Sequence, residues 1–280
     1  MIASTLAFST MHVMVRHVSA DLHPLQVAFF RNIFGLLVFL PVILRHGFGF
    51  LRTSRLPMHG LRSVLNVVAM LCFFYALTIA PLTRVTALAF TTPLFVAVLG
   101  FVFLGERFRL RRWSAIIIGF AGTLVILRPG LIPADLGSIL VLTSAGFWGM
   151  TMIVIKLLSR TDSSLTITGY SSILLSVLSL GPALYVWTQP TLEQLALLML
   201  MGIVGTLAQI AFAQSLKDAD TTAVLPFDFL KLVWASMFGV WLFGEVPDTL
   251  TWIGAVIVFA SSFYIAWREH QAGKAGRDNP

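Results

Sequence analysis

One cysteine stands in the whole sequence, Cys72 inside an apolar run, so neither an intrachain disulfide nor a cysteine-based metal cluster is available. Charge is scarce as well. Only 11% of the 280 residues are charged against 58% hydrophobic, and the mean hydropathy is +0.90. No ordinary soluble domain has that balance, and the successive apolar runs are long enough to cross a bilayer. Catalytic motifs are missing too. There is no glycine-rich phosphate loop, which removes any sign of ATP as the direct energy source. No His-x-x-x-His, Cys-x-x-Cys or Gly-x-Ser-x-Gly pattern occurs, so the usual membrane protease and lipase signatures are absent. The longest segment between apolar runs, residues 45–62, has no room for a soluble catalytic domain. The chain reads as a non-enzyme with no cofactor and no metal site.

What is there is a set of ten apolar segments, at residues 2–18, 25–44, 60–80, 82–104, 113–127, 137–158, 165–187, 192–216, 221–243 and 250–267. Each has about the length that a ~30 Å hydrocarbon layer requires of a helix. The first lacks a basic leader and a clear cleavage site, and is read as a retained helix. The net charge of +7 is not a nucleic-acid footprint, because the basic residues cluster between apolar segments. With the N-terminus inside, fourteen of the 19 Lys and Arg fall on the cytoplasmic side; Arg16, Arg84 and Arg128 fall outside. The expectation is a multi-pass protein with both termini in the cytoplasm, its partners being the bilayer and a small molecule.

The chain is also an internal duplication. Residues 83–106 and 222–245 align at an offset of 139, ending in Phe103-Leu104-Gly105-Glu106 and Phe243-Gly244-Glu245. At the same offset Phe73 falls on Phe212, Leu77 on Leu216, Thr83 on Thr222 and Trp113 on Trp252. Five helices per copy is an odd number, so the copies lie in the membrane with opposite orientation. This gives an all-α fold in two inverted five-helix repeats, 1–130 and 131–268, followed by a polar tail, 269–280, expected to be disordered. Ala115-x-x-x-Gly119 lets backbones approach closely; packing within the bundle is the commoner use, and spacing leaves contact with another subunit open. Monomer or homodimer stays open.

These features resemble the EamA-type drug/metabolite transporters: ten helices, the duplicated unit, the Gly-Glu endings, Phe30-Arg31 early in the second helix and Phe147-Trp148-Gly149 in the sixth. The similarity covers nearly the whole chain, although Arg84 stands where relatives often carry small or acidic residues. The resemblance implies a central cavity lined by both halves, and a bacterial inner membrane. It also implies secondary transport of a small metabolite, with amino acids, riboflavin, S-adenosylmethionine, nucleobases and opine-type metallophores among the family's cargoes. Export of an amino-acid-like or carboxylate-bearing metabolite is the preferred expectation. Uptake of a vitamin or cofactor such as riboflavin or S-adenosylmethionine is the alternative, and a non-transporting membrane scaffold the reading from another class.

The candidate site follows from charge inside the hydrocarbon. Asp228 and Lys231 are three apart on one helical face of an apolar run, and each is costly there unless paired or solvated. Pro226 removes a backbone donor one turn earlier, which favours a bend or opening. The first copy has neutral Ala87, Ala89 and Thr92 instead, so the repeat alone does not require the charges. A structural ion pair is the alternative; a functional role is the preferred reading, because ionisable residues inside a membrane default to function. Arg31 is either an anion clamp or a side chain reaching the interface. Thr91, Thr92 and Pro93 form a polar, kink-prone patch; Gln209 and Trp148 are further candidates to touch substrate. For Asn66, Gln214, Tyr170, Trp234, His12 and Arg16, interhelical or interfacial roles are the commoner use. Glu106 and Glu245, recurring in both copies, read as structural.

Overall fold

In this computed structural model the described residues are 1–41, 44, 47, 53–104, 110–128, 135–159, 161–218 and 225–275. Among them every regular element is helical. In order they are α1 (Ile2–Val18), α2 (Pro24–Gly35, extended by a 3-10 turn Leu36–Phe39), α3 (Leu56–Ile79), α4 (Leu82–Ala89), α5 (Thr92–Leu104) and α6 (Leu110–Leu127). Then follow α7 (Leu136–Leu158), α8 (Ser164–Tyr185), α9 (Leu192–Asp218), a 3-10 segment Leu225–Phe229, α10 (Leu230–Phe243) and α11 (Thr249–Ala275).

Five stretches are long and apolar enough to cross a membrane: Leu56–Ile79, Leu82–Phe103, Leu136–Leu158, Thr166–Tyr185 and Leu192–Phe212. Three shorter apolar helices accompany them, Pro24–Phe39, Trp113–Leu127 and Thr249–Ile265. Large apolar side chains face outward along many helices, including Phe103, Ile117, Val177 and Trp241, as lipid contact requires. Two boundaries differ from expectation. α3 begins at Leu56 rather than near residue 60, because Pro57 can occupy a first helical turn without losing a needed donor. This sets Arg62, counted above with the cytoplasmic basic residues, about a turn deeper in the helix, where it is buried. α11 continues to Ala275, so the first part of the expected disordered tail is helical.

Helix ends carry specific chemistry. Asp135 caps α7, accepting from the Ser138 amide at 2.7 Å, and Ser163 caps α8, accepting from the Thr166 amide at 3.1 Å. α10 ends on Gly244 at φ 66°, a left-handed turn that glycine adopts without a Cβ penalty, and the Glu245 amide then donates to Gly239 O at 2.9 Å. The span 82–103 is broken between α4 and α5, where Thr91 and Thr92 donate their hydroxyls back to Leu88 O (2.7 Å) and Ala89 O (2.9 Å). Pro93 lies in the first turn of α5, where its missing donor is harmless. The corresponding stretch of the second half is irregular at the same register: 3-10 through Phe229, then α10 from Leu230.

The packing pairs α3 with α7, α1 with α9, α6 with α11, α2 with α8 and α9, and α3 with α8; α4 meets α10. Phe90 and Phe229, 139 residues apart, stack on each other at 6.0 Å in the middle of the bundle. Gly119 of the Ala115-x-x-x-Gly119 pattern packs inside the chain, against Leu94 of α5 and Ser261 of α11.

Candidate functional site

Lys231 sits in the first turn of α10 and Asp228 in the 3-10 segment before it, so the helix break places both at the same level. The Lys231 ammonium lies 2.6 Å from Asp228 Oδ1, with each side chain about one fifth exposed (21% and 20%). Oδ1 has this ion-pair partner but no aligned hydrogen bond among the described residues. Two rings complete the surroundings. The ammonium lies 5.0 Å from the Phe8 ring of α1 and 5.2 Å from the Phe212 ring of α9, and these rings meet edge-on at 6.4 Å. Ring faces attract a cation by ~0.5–2 kcal/mol each, so Lys231 is held from three sides while remaining partly exposed. α1 is tied to α10 here: Ser9 Oγ donates to Lys231 O at 3.4 Å and Trp234 Nε1 to Thr5 Oγ1 at 3.3 Å.

His12 lies one turn further along α1. Its ring is 5.0 Å from Phe73 of α3, and it lies within Coulombic range of both Lys231 and Arg31. Arg31, on α2, donates from Nη1 to Asn32 Oδ1 at 3.0 Å; its Nε has no partner among the described residues. Asn32 in turn donates to Ser179 Oγ at 3.2 Å. α2 comes close to α9 because Gly202 and Gly205 leave room: a Cβ on Gly205 would stand 3.4 Å from Arg31 Nε. One turn further on α9 comes Gln209, exposed, and then Phe212 beside Lys231. Gly205, Gln209 and Phe212 share a helical face, so Gln209 stands between the Arg31 and Lys231 levels.

The remaining candidates fall elsewhere. Thr91 is fully buried and Thr92 half-buried at the α4–α5 break, both hydroxyls spent on their own backbone. Trp148 is half-buried on α7, and no described ring or polar contact joins it to Lys231. Tyr170 stacks on His59 at 4.6 Å. Glu106, Val224 and most of the cytoplasmic basic set lie outside the residues, or the side chains, described. Phe8 carries no mark in the sequence, being one of 23 phenylalanines. Phe212 is singled out only by its repeat partner Phe73.

At the other end of α10 the acidic ending has structural work. Glu245 Oε2 accepts from the Leu82 amide at 2.9 Å, capping α4, and its carboxylate pairs with Arg16. Arg16 also donates to Ala80 O at 3.1 Å and lies over the Phe243 ring at 4.5 Å. Nearby, Arg84 meets Asp135 at 3.2 Å, and Arg128 pairs with Asp248. Burial pushes the Asp135 carboxyl up, but the Ser138 amide and hydroxyl and the Arg84 guanidinium outweigh it and hold the group below its ordinary value. Asp248 behaves alike: burial raises it, and the Thr251 amide and hydroxyl with Arg128 bring it lower. A cleft of about 170 Å³ opens here beside Arg84, Glu245 and Asp248, and another of about 380 Å³ lies between Val13, His17, Leu197 and Phe243. Neither contains Lys231. The chemistry, rather than cleft size, marks the site, since these two are lined by residues already paired or by lipid-type surface.

Comparison with known proteins gives a consistent set of matches. The model of the EamA-like transporter family matches this chain twice, over residues 1–128 and 135–267. An S-adenosylmethionine uptake transporter of Rickettsia bellii (strain RML369-C) is 33% identical over 96% of this chain and 92% of its own. A riboflavin transporter of Rhizobium johnstonii (strain DSM 114642 / LMG 32736 / 3841) is 31% identical over 96% and 90%. A pseudopaline exporter of Pseudomonas aeruginosa (strain UCBPP-PA14) is 28% identical over 92% and 91%.

Proposed function

The chain belongs to the EamA-like transporter family, and from that premise we propose that it carries a zwitterionic, amino-acid-bearing metabolite inward across the inner membrane, S-adenosylmethionine being the first cargo to test. The observation that carries this reading is the Asp228–Lys231 pair, each side chain about one fifth exposed (20% and 21%), its ammonium faced by Phe8 and Phe212. An amino-acid end exchanges into such a pair without changing its net charge. The cargo carboxylate takes the Lys231 ammonium, its ammonium takes Asp228, and the ring faces receive the sulfonium. Gln209 and Arg31 stand about one and two turns away along the bundle to hold the rest; Thr91, Thr92 and Trp148 lie apart from this pair.

Export, preferred on sequence alone, gives way to uptake because the S-adenosylmethionine relative is the more similar; the pseudopaline relative keeps export as the second direction. Riboflavin is uncharged at neutral pH, so it offers no charge to exchange with Asp228 or Lys231, and the pair gives no reason to prefer it. The architecture that goes with this reading is ten spans in two inverted repeats, 1–130 and 131–268, with both termini cytoplasmic. The doubled family match, the breaks repeated at one register and the Phe90–Phe229 contact support it.

The test is uptake of labelled S-adenosylmethionine into proteoliposomes holding the purified protein. Saturable uptake is expected, competed by unlabelled cargo and not by decarboxylated S-adenosylmethionine. Equal competition by the decarboxylated analogue would refute the Lys231–carboxylate contact. Vesicles that move none of the three relatives' cargoes, from a protein that holds a stable partner, would favour a scaffold.

A further inference from the structure

α3 carries a second polar constellation away from Lys231. His59, Arg62, Ser63 and Asn66 follow at i, i+3, i+4 and i+7, hence on one face, and are 0%, 7%, 0% and 5% exposed inside one of the long apolar helices. Their hydrogen bonding is incomplete. Arg62 donates from Nη1 to Ile167 O of α8 at 2.9 Å, while Arg62 Nε, Ser63 Oγ and His59 Nδ1 have no partner among the described residues. Nor does Arg62 have a carboxylate among them. Asp162, the acid at this end, is taken by His59 Nε2 at 2.7 Å and Thr53 Oγ1 at 2.6 Å. Arg16, Arg84, Arg128 and Lys231, by contrast, all have acidic partners. A buried guanidinium without a counter-ion is unfavourable unless an anion visits it.

Packing does not demand this stripe. At the 139-residue offset the same positions of α9 are Leu198, Met201, Gly202 and Gly205. There the guanidinium comes from the partner helix instead, as Arg31 of α2 against Gly205, and Arg31 itself corresponds to Tyr170 of α8. Each of the two corresponding helix interfaces, α2 with α9 and α8 with α3, therefore holds one arginine whose Nε is unspent. One further heptad along the α3 stripe, after Asn66, stands Phe73, whose ring meets His12 beside the Lys231 site.

We propose that Arg62, with Ser63 and Asn66, is a second anion-binding station on the cargo's path, placed between the Lys231 site and the end of the bundle where α3 begins. It takes the cargo carboxylate there, before or after the carboxylate engages Lys231, while Arg31 occupies the corresponding interface of the other half. The proposal rests on the carboxylate-bearing cargo described above. A tie between α3 and α8 accounts for the Ile167 bond alone; it leaves Nε and the Ser63 hydroxyl unexplained.

Because Cys72 is the sole cysteine, the test can use single thiols in a Cys72→Ser background. Ser63→Cys and, as a second probe, Asn66→Cys are reconstituted and treated with anionic sulfonatoethyl or cationic trimethylammonioethyl methanethiosulfonate, each rate divided by that of free cysteine. Expected is modification with at least a tenfold preference for the anionic reagent. Arg62→Gln should reduce that preference below twofold, and Arg62→Lys should restore it. Saturating S-adenosylmethionine should slow the reaction. No modification at either position in monodisperse protein, or a preference that survives Arg62→Gln, overturns the station. Charge preference without protection leaves the station standing and overturns the cargo, so the two failures are distinguishable.

Discussion

Removing the Lys231 ammonium separates a binding role from a structural one. At 2.6 Å and an effective dielectric near 20, the gross attraction to Asp228 is about 6 kcal/mol. Desolvation offsets much of it, and each partner is one fifth exposed, so the net worth of the pair is about 2 kcal/mol. A cargo carboxylate that replaces Asp228 gains a comparable charge-assisted bond. Lys231→Ala should therefore raise the Kd for S-adenosylmethionine about thirtyfold, at 1.4 kcal/mol per decade, and abolish measurable uptake. The same change strands Asp228, which costs about 1–3 kcal/mol of stability. Adding Asp228→Asn removes that penalty without restoring the ammonium. The assay is equilibrium binding and thermal unfolding of wild type, both single variants and the double variant in one detergent. The double variant should be more stable than Lys231→Ala and bind no better. Binding by Lys231→Ala within threefold of wild type would refute the reasoning, as would recovery of both properties in the double variant.

Other outcomes follow from the ends and seams of the bundle. Glu245→Ala removes the cap on the Leu82 amide and the Arg16 partner, so it should lower stability by about 1–3 kcal/mol while cargo affinity stays within twofold. Asp135 has its folded pKa below the unfolded value near 4, so its stabilisation is complete above about pH 4 and is lost as pH falls through the folded value. The gap in unfolding temperature between wild type and Asp135→Asn should hold at pH 7 and 5.5 and close toward pH 3; a gap that closed between pH 7 and 5.5 would contradict the assignment. A Cβ at Gly202 would stand 2.9 Å from Phe34 Cβ and 3.0 Å from both Arg31 O and Gly35 N. Two of those atoms are backbone, so Gly202→Ala should push α2 from α9, cost about 1–3 kcal/mol and slow uptake; a variant as stable as wild type would count against the close approach.

How far the site was legible depended on chemical contrast. Asp228 and Lys231 stand out because an apolar run offers nothing else charged, and three-residue spacing leaves them within reach. The breaks at Thr91-Thr92-Pro93 and Pro226 were legible for the same kind of reason, since hydroxyls and proline compete with helical hydrogen bonds. Phe8 and Phe212 were not, because a ring that faces a cation and one that faces lipid look alike in sequence. Arg62 was misplaced by a boundary: counted with the loop 45–62, it belongs one and a half turns inside α3. Asp135, Asp162 and Asp248 went unremarked because a short acidic residue near a loop carries no spacing signal, only a cap geometry that folding supplies.

The duplication also sorts the polar residues by what they do. Some residues that the offset relates to a like residue support the scaffold: Phe90 stacks on Phe229, and the Gly-Glu ending of the second copy closes α10 and caps α4. At several positions where the two copies differ, bonding capacity is left over. Lys231 and Asp228 answer to Thr92 and Ala89, Arg62 to Met201, Arg31 to Tyr170, and Arg31 and Arg62 each keep an unspent Nε. In the proposed inverted-repeat architecture, two halves that exchange shapes need equal packing, which repeated residues would secure. A cargo is asymmetric and meets the halves in turn, so its contacts need not repeat. The proposed cargo contacts, Lys231, Asp228, Arg31 and Arg62, are all of the unrepeated kind, whereas the Gly-Glu ending present in both copies has, in the second, a role in the fold.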